Sequence, residues 1–244
     1  MRVEKVGRLN PIIEILRADP GRVQKIIIQK ERGPHKIAEV IRLAKQGGLS
    51  LHFLPRRQLD LMSPGHQGAL VLLAAKGFSS LDDILAGAAN PFLLLLDEIA
   101  DPQNLGAIIR SAECAGADGI VLPERRSAGL TEAVVEVSAG AAEHLKVARV
   151  TNLARTMDEL KQRGLWLVGA EAGGEEYWTD FDYTGPIGIV LGSEGRGMRR
   201  LVREKCDKVL SIPLFGKVNS LNVAAAAAVF LFEVARQRHH LQLR

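Results

Sequence analysis

Unbroken apolar runs mark the last two-thirds of the chain, at 92–96, 119–122, 165–169, 187–191 and 209–212. Strands buried on both faces read this way, so the pattern predicts a mainly parallel sheet with helices on each side. Helical spacing at 105–115, 131–139, 153–163 and 198–205 supplies those helices, and a last one is expected at 221–237. The first part is cut finer. Asn10-Pro11 opens a short helix that Asp19-Pro20-Gly21 closes, and 25–29 is a short β-branched strand. Ile37, Val40, Ile41 and Ala44 share a helix face that stops at Gly47-Gly48. Strand, short helix and strand follow in LSLHFL, RRQLDLM and ALVLLAAK. Ser80 caps a further short helix, and the small residues with Gly and Pro at 86–91 read as a connection. The expected organisation is a small α/β domain at 1–78, a linker at 79–90 and a larger α/β domain at 91–244.

Composition changes this picture little. Of 244 residues, 47% are hydrophobic and 25% charged, as in ordinary globular chains. A net charge of +4 is compatible with a nucleic-acid partner without requiring one. The two cysteines are far apart, which suits a reduced cytoplasmic protein. The six histidines show no HxxxH or HExxH spacing, so no metal is expected. The start lacks an apolar signal core, and the alanine-rich stretch 223–232 is too short for a membrane span.

Parallel sheets bind ligands outside the carboxyl ends of their strands, which directs attention to the loops after the apolar runs. The first is Asp97-Glu-Ile-Ala-Asp-Pro-Gln-Asn104-Leu-Gly-Ala-Ile-Ile-Arg110-Ser-Ala. Asn104 sits where it either caps a helix start or serves a site. Arg110, amid apolar helical positions, is either a surface cation or a grip on a phosphate or ribose oxygen. The second is Gly192-Ser-Glu194-Gly-Arg-Gly, where glycines let the backbone turn sharply and approach a ligand. It matches neither the dinucleotide GxGxxG nor the phosphate loop GxxxxGK[ST]. In the third, Ile212-Pro-Leu-Phe-Gly-Lys-Val-Asn-Ser220-Leu221-Asn222-Val, either Ser220 or Asn222 caps the last helix.

Taken in order, D-x-x-x-D-P-x-N-x-G-x-x-x-R-S-A, L-G-S-E-G-x-G and I-P-L-x-G-x-V-x-S-L-N-V resemble the three motifs of the SpoU/TrmH class of SPOUT RNA methyltransferases. The resemblance covers about residues 92–240. V-G-R-L-N-P-I-I-E-I-L near the start, G-H-Q-G at 65–68 and R-V-T-N-L-A-R-T-M at 149–157 are similar to RlmB-type members, which methylate a guanosine ribose in 23S rRNA.

That resemblance implies a deep trefoil knot, a homodimer and S-adenosylmethionine as methyl donor, held at Gly192, Ile212 and Leu221. It assigns catalysis to Arg110 and Asn104, with Glu194, Ser220 and Asn222 supporting. Free arginine keeps its proton far above neutral pH, so Arg110 is expected to bind the 2′-oxygen and an adjacent phosphate rather than act as a literal base. Glu194 is expected to orient Arg110 or to help remove the proton, while Ser220 and Asn222 fix the loop and the cofactor. The N-terminal domain is expected to grasp RNA, with Arg32, His35, Lys36, Arg56, Arg57 and His66 as candidate contacts. Rival readings are a non-catalytic RNA-binding protein, a dehydrogenase (disfavoured by the missing GxGxxG), and a sister enzyme acting on tRNA or as an antibiotic-resistance rRNA methyltransferase.

Overall fold

The computed structural model describes residues 3–31, 33–174 and 176–239. From the N-terminus the elements are β1 (Val3–Val6), α1 (Leu9–Ala18), β2 (Val23–Gln29), α2 (Lys36–Gln46), β3 (Leu51–Leu54), α3 (Arg56–Met62) and β4 (Ala69–Ala74). Then come α4 (Leu81–Leu85), β5 (Phe92–Leu96), α5 (Pro102–Cys114), β6 (Gly119–Pro123), α6 (Glu132–Val137), β7 (Lys146–Val150) and α7 (Leu153–Gln162). The chain ends with β8 (Trp166–Ala170), β9 (Glu176–Tyr177), β10 (Ile187–Leu191), α8 (Arg200–Glu204), β11 (Lys208–Ser211) and α9 (Val223–His239).

Two compact units result, 1–77 with 129–144, and 78–128 with 145–244. The first holds a four-stranded sheet in the order β1-β4-β2-β3, in which β4 runs antiparallel to both neighbours and β2 parallel to β3. The triple isoleucine of β2 is buried throughout because both faces of that strand are covered. Ile27 packs with Leu59 of α3 and with Leu70, and truncating it to Ala would cost about 2–5 kcal/mol.

The sequence-based boundaries leave the excursion 129–144 in the second domain, whereas it packs with the first unit. Glu143 is why: its carboxylate, almost fully buried, pairs with Arg22 at 2.5 Å. The Lys76 ammonium donates to the carbonyls of Ala142 and Glu143, and burial holds it below its ordinary pKa. Gly140, at φ +93°, lies against Pro11 and Glu14, where a Cβ would come within 2.7 Å of the Glu14 side chain. These long-range polar contacts leave no periodic signal.

In the second unit seven strands run in the order β7-β6-β5-β10-β8-β11-β9, and every pairing is parallel. Leu93, Leu95, Val121, Leu167 and Val190 form one buried face, covered by α4, α7 and α8. Glycines 119 and 188 make room there: a Cβ on either would fall 2.7–2.8 Å from Ile84, Leu95 or Leu167. On the other face α5 packs on α9, and the Arg238 guanidinium of α9 sits over Phe92. Five strands coincide with the predicted apolar runs. The pattern misses β7, whose exposed Lys146 and Arg149 interrupt the run, and the two-residue edge strand β9.

Candidate functional site

The three loops singled out by sequence meet at the carboxyl ends of β5, β10 and β11. After β10 the chain folds back on itself, Ser193 and Gly197 exchanging backbone hydrogen bonds of 3.1 and 2.9 Å. That hairpin demands glycine. A Cβ on Gly192 would stand 2.0 Å from the Gly197 carbonyl carbon, and Gly197 itself adopts φ +67°. The loop borders a cavity of about 350 Å³. Gly192, Ile212 and Leu221 all line it, joined by Ser220, Ala226 and Phe230.

Beside the cavity a polar junction ties the three loops together. Asn222 is its centre. The Oδ1 atom accepts from the N–H groups of Ala224 and Ala225 at 3.0 and 3.3 Å, so Asn222, not Ser220, caps α9. Its Nδ2 donates to Asn104 Oδ1 at 2.9 Å and to Glu194 Oε1 at 2.5 Å. Val223 N–H also donates to Glu194 Oε1, at 3.4 Å, placing the carboxylate on the positive end of a 17-residue helix. Asn104 does not cap α5, because Asp101 does so through Gln103 N–H. Buried on the third residue of that helix, Asn104 reaches across to Asn222 instead.

Arg110 stands apart from this junction. It is exposed on α5 and makes no hydrogen bond or ion pair among the described residues. No hydrogen bond or ion pair joins it to Glu194 among the described residues, and Glu194 Oε1 accepts from Asn222 and from the start of α9. Ser220 is exposed at the cavity wall.

Residues 91–232 match the SpoU rRNA methylase family, and residues 9–77 match the family described as RNA 2′-O ribose methyltransferase substrate binding. The chain belongs to the SpoU methylase family. A Bacillus subtilis protein named for the TrmH family of tRNA/rRNA methyltransferases is 45% identical over 235 residues, 94% of each chain. The crystal structure of the SpoU methyltransferase AviRb from Streptomyces viridochromogenes, in complex with AdoMet, is 28% identical, with a TM-score of 0.81 over 98% of this chain and 91% of that one. A TrmH/SpoU tRNA modifying enzyme of A. aeolicus aligns over 66% of this chain and 81% of its own, at 27% identity and a TM-score of 0.58.

This SpoU-family chain also carries an ionic latch that sequence reading left without a role. Asp97, immediately after β5, has a fully buried side chain. It accepts from Arg199 N–H and Nε, both at 2.8 Å, and its Oδ1 lies 2.7 Å from Arg199 Nη2. Hydrogen bonding to that carboxylate holds the guanidinium above its ordinary pKa. Glu98 also lies 3.6 Å from Arg199 Nε and pairs with Arg126 at 3.2 Å. Both Glu98 and Arg126 adopt positive φ, near 60°, a strain typical of functional loops. The latch pins the descending end of the glycine hairpin to the end of β5. Its signal in sequence was an acid placed directly after five buried apolar residues.

In the first unit the candidate contacts divide. His35, Lys36, Arg56 and Arg57 are exposed, while Arg32 lies outside the described residues. His66 is no surface contact, because its side chain is 1% exposed. Its Nδ1 accepts from Gly68 N–H at 2.9 Å and its Nε2 faces Asp60 at 3.0 Å, so it braces the G-H-Q-G turn. Among the described residues no group of three or more His, Cys, Asp or Glu side chains could hold a metal, and no helix is long and apolar enough to cross a membrane.

Proposed function

We propose that this chain transfers the methyl group of S-adenosylmethionine to a ribose 2′-hydroxyl of RNA, at a guanosine of 23S rRNA. The observation that carries the reading is the Asn104–Asn222–Glu194 junction beside the glycine-walled cavity. Both full-length similarity to AviRb, a SpoU methyltransferase crystallised with AdoMet, and the substrate-binding match at 9–77 support it. The tRNA enzyme aligns with only two-thirds of this chain, which favours rRNA over tRNA.

The cavity suits the methyl donor. Glycine backbone at 192–197 offers hydrogen-bonding groups at close range, while Ile212, Leu221 and Phe230 offer apolar contact for an adenine ring. Bound there, S-adenosylmethionine supplies a methyl group already activated on a positively charged sulfur. The chain's own task is then to place the acceptor and handle its proton. Arg110, unpaired and exposed, is available to bind the 2′-oxygen and the neighbouring phosphate, stabilising negative charge as it develops. Glu194 is held through Oε1, which leaves Oε2 as an acceptor for the hydroxyl proton. Asn104 and Asn222 position Glu194, and Ser220 shapes the wall.

The remaining expectations complete the proposal. Residues 1–78 serve as the RNA-binding domain and 91–244, after a short connection at 79–90, as the methyltransferase domain, apart from 129–144, which packs with the first unit. A trefoil knot is supported by the strand order, with β10 between β5 and β8 and the chain continuing to β11 beyond β8. Homodimerisation is supported by exposed apolar side chains in the segment from β11 through α9: Phe215 at 96%, Val218 at 71% and Phe232 at 49%. Free Cys114 and Cys206 fit a reducing cytoplasm. The test is transfer of a labelled methyl group from S-adenosylmethionine to purified rRNA, followed by nucleoside analysis. The expected product is 2′-O-methylguanosine; a base-methylated nucleoside, or no transfer, would overturn the reading.

A further inference from the structure

A second cavity, of about 420 Å³, lies within the first unit where α1, α2 and α3 begin. Asn10, Lys36, Arg56 and Gln67 line it, and among the described residues no acidic side chain does. Glu31 accepts from Arg56 N–H through its carboxylate at 2.9 Å and from Gln29 Nε2 through its carbonyl at 3.2 Å. Lys36 Nζ is steadied by Asn10 Oδ1 at 2.6 Å, with donors to spare, and the Arg56 side chain has no partner among the described residues. Gln67 accepts from Leu9 N–H at 3.0 Å through Oε1, which leaves its amide N–H₂ group open. The wall is rigid: buried His66 fixes Gly68, whose φ of +98° only glycine adopts readily.

The volume falls within the roughly 300–1,000 Å³ of small-ligand sites. Two cations on one rim select an anion, and an amide donor beside them selects a group with acceptor edges. Phosphate and base together meet both demands. A double helix, with its broad, shallow minor groove, cannot enter a recess of this size; a nucleotide splayed out of a loop or bulge can.

We propose that this recess receives one unstacked nucleotide of the RNA substrate, its phosphate between Lys36 and Arg56 and its base edge at Gln67. The inference rests on the RNA-methylating reading above. It assigns substrate selection to RNA shape, read in the first unit, separately from the chemistry in the second.

The test compares a fluorescein-labelled RNA hairpin carrying one bulged guanosine with the same hairpin fully paired, by anisotropy with the full-length protein. Wild type is expected to prefer the bulged RNA about tenfold. K36A and R56A should each weaken the bulged hairpin about tenfold and the paired one less than about twofold. Q67E keeps the acceptor for Leu9 N–H, so folding is preserved, and should also weaken the bulged hairpin alone. R42A removes an exposed cation outside the recess and should change neither. Free GMP should displace the bulged hairpin. Equal affinity for both hairpins, or equal losses on both, would overturn the proposal; GMP binding without bulge preference would make the recess a free-nucleotide site and overturn it too. Methyl transfer to RNA measured alongside separates the two readings. Transfer without bulge preference sinks the recess alone, and bulge preference without transfer sinks the catalytic reading alone.

Discussion

The two cavities are of similar size and opposite character. In the second unit the wall is glycine backbone and apolar side chain, and its charged residues are Glu171, Glu194 and Arg196, a net of −1. In the first unit the wall is amide and cation, and Lys36 with Arg56 gives a net of +2. A sulfonium cofactor carries positive charge and RNA carries negative charge, so each cavity complements one of the two reactants. The proposed function divides holding the methyl donor from grasping the nucleic acid, with Arg110, an exposed cation on the second unit, assigned to the reacting ribose.

Arg110 is therefore where the contrast breaks most visibly. R110A should lower methyl transfer about 10²–10³-fold, the usual loss for one preorganised charge-stabilising donor, with S-adenosylmethionine affinity nearly unchanged by calorimetry. An equal loss in cofactor affinity would place Arg110 in the cofactor cavity. Salt sharpens the same comparison. Between about 50 and 200 mM salt, RNA affinity should fall a hundredfold or more through counterion release, while cofactor affinity moves by less than about twofold. A flat RNA response would remove the electrostatic basis for the first unit's role.

Smaller effects probe how the second cavity is built. D97N removes the latch on the glycine hairpin and should cost about 1–2 kcal/mol of stability, less than a fully buried pair because the Arg199 side chain is 47% exposed. It should weaken S-adenosylmethionine and leave RNA affinity alone, read by thermal melts and calorimetry. N222A removes the α9 cap and should cost about 1 kcal/mol. Because the same amide steadies Glu194, kcat should fall further than stability alone explains. N222D restores the cap acceptor but places a carboxylate against Glu194, so it should recover the melting temperature and not the rate.

Much of the fold was legible because burial writes itself into sequence. Strands covered on both faces, such as β5 and β10, appear as uninterrupted apolar runs, and Gly47-Gly48 or Ser80 announce helix ends by local backbone chemistry. Contacts made across long stretches of sequence leave no such trace. The excursion at 129–144 is held by Glu143 to Arg22, a pairing 121 residues apart. The Asn104–Asn222 bond spans 118 residues, and the Asp97–Arg199 latch 102. The neighbours of Asn104 left it open between helix cap and site residue; Asp101 takes the cap, and Asn104 bonds Asn222 instead. His66 looked like a surface cation, and burial made it a brace.

The most direct test of ribose 2′-O-methylation uses the chemistry of the product. A methylated 2′-oxygen cannot attack its neighbouring phosphodiester, so that linkage survives alkali. Alkaline cleavage maps of rRNA and tRNA should be compared between cells with and without the gene. Loss of protection at one guanosine of 23S rRNA, restored by wild type and not by R110A, is the predicted result. Identical rRNA maps with and without the gene would contradict it.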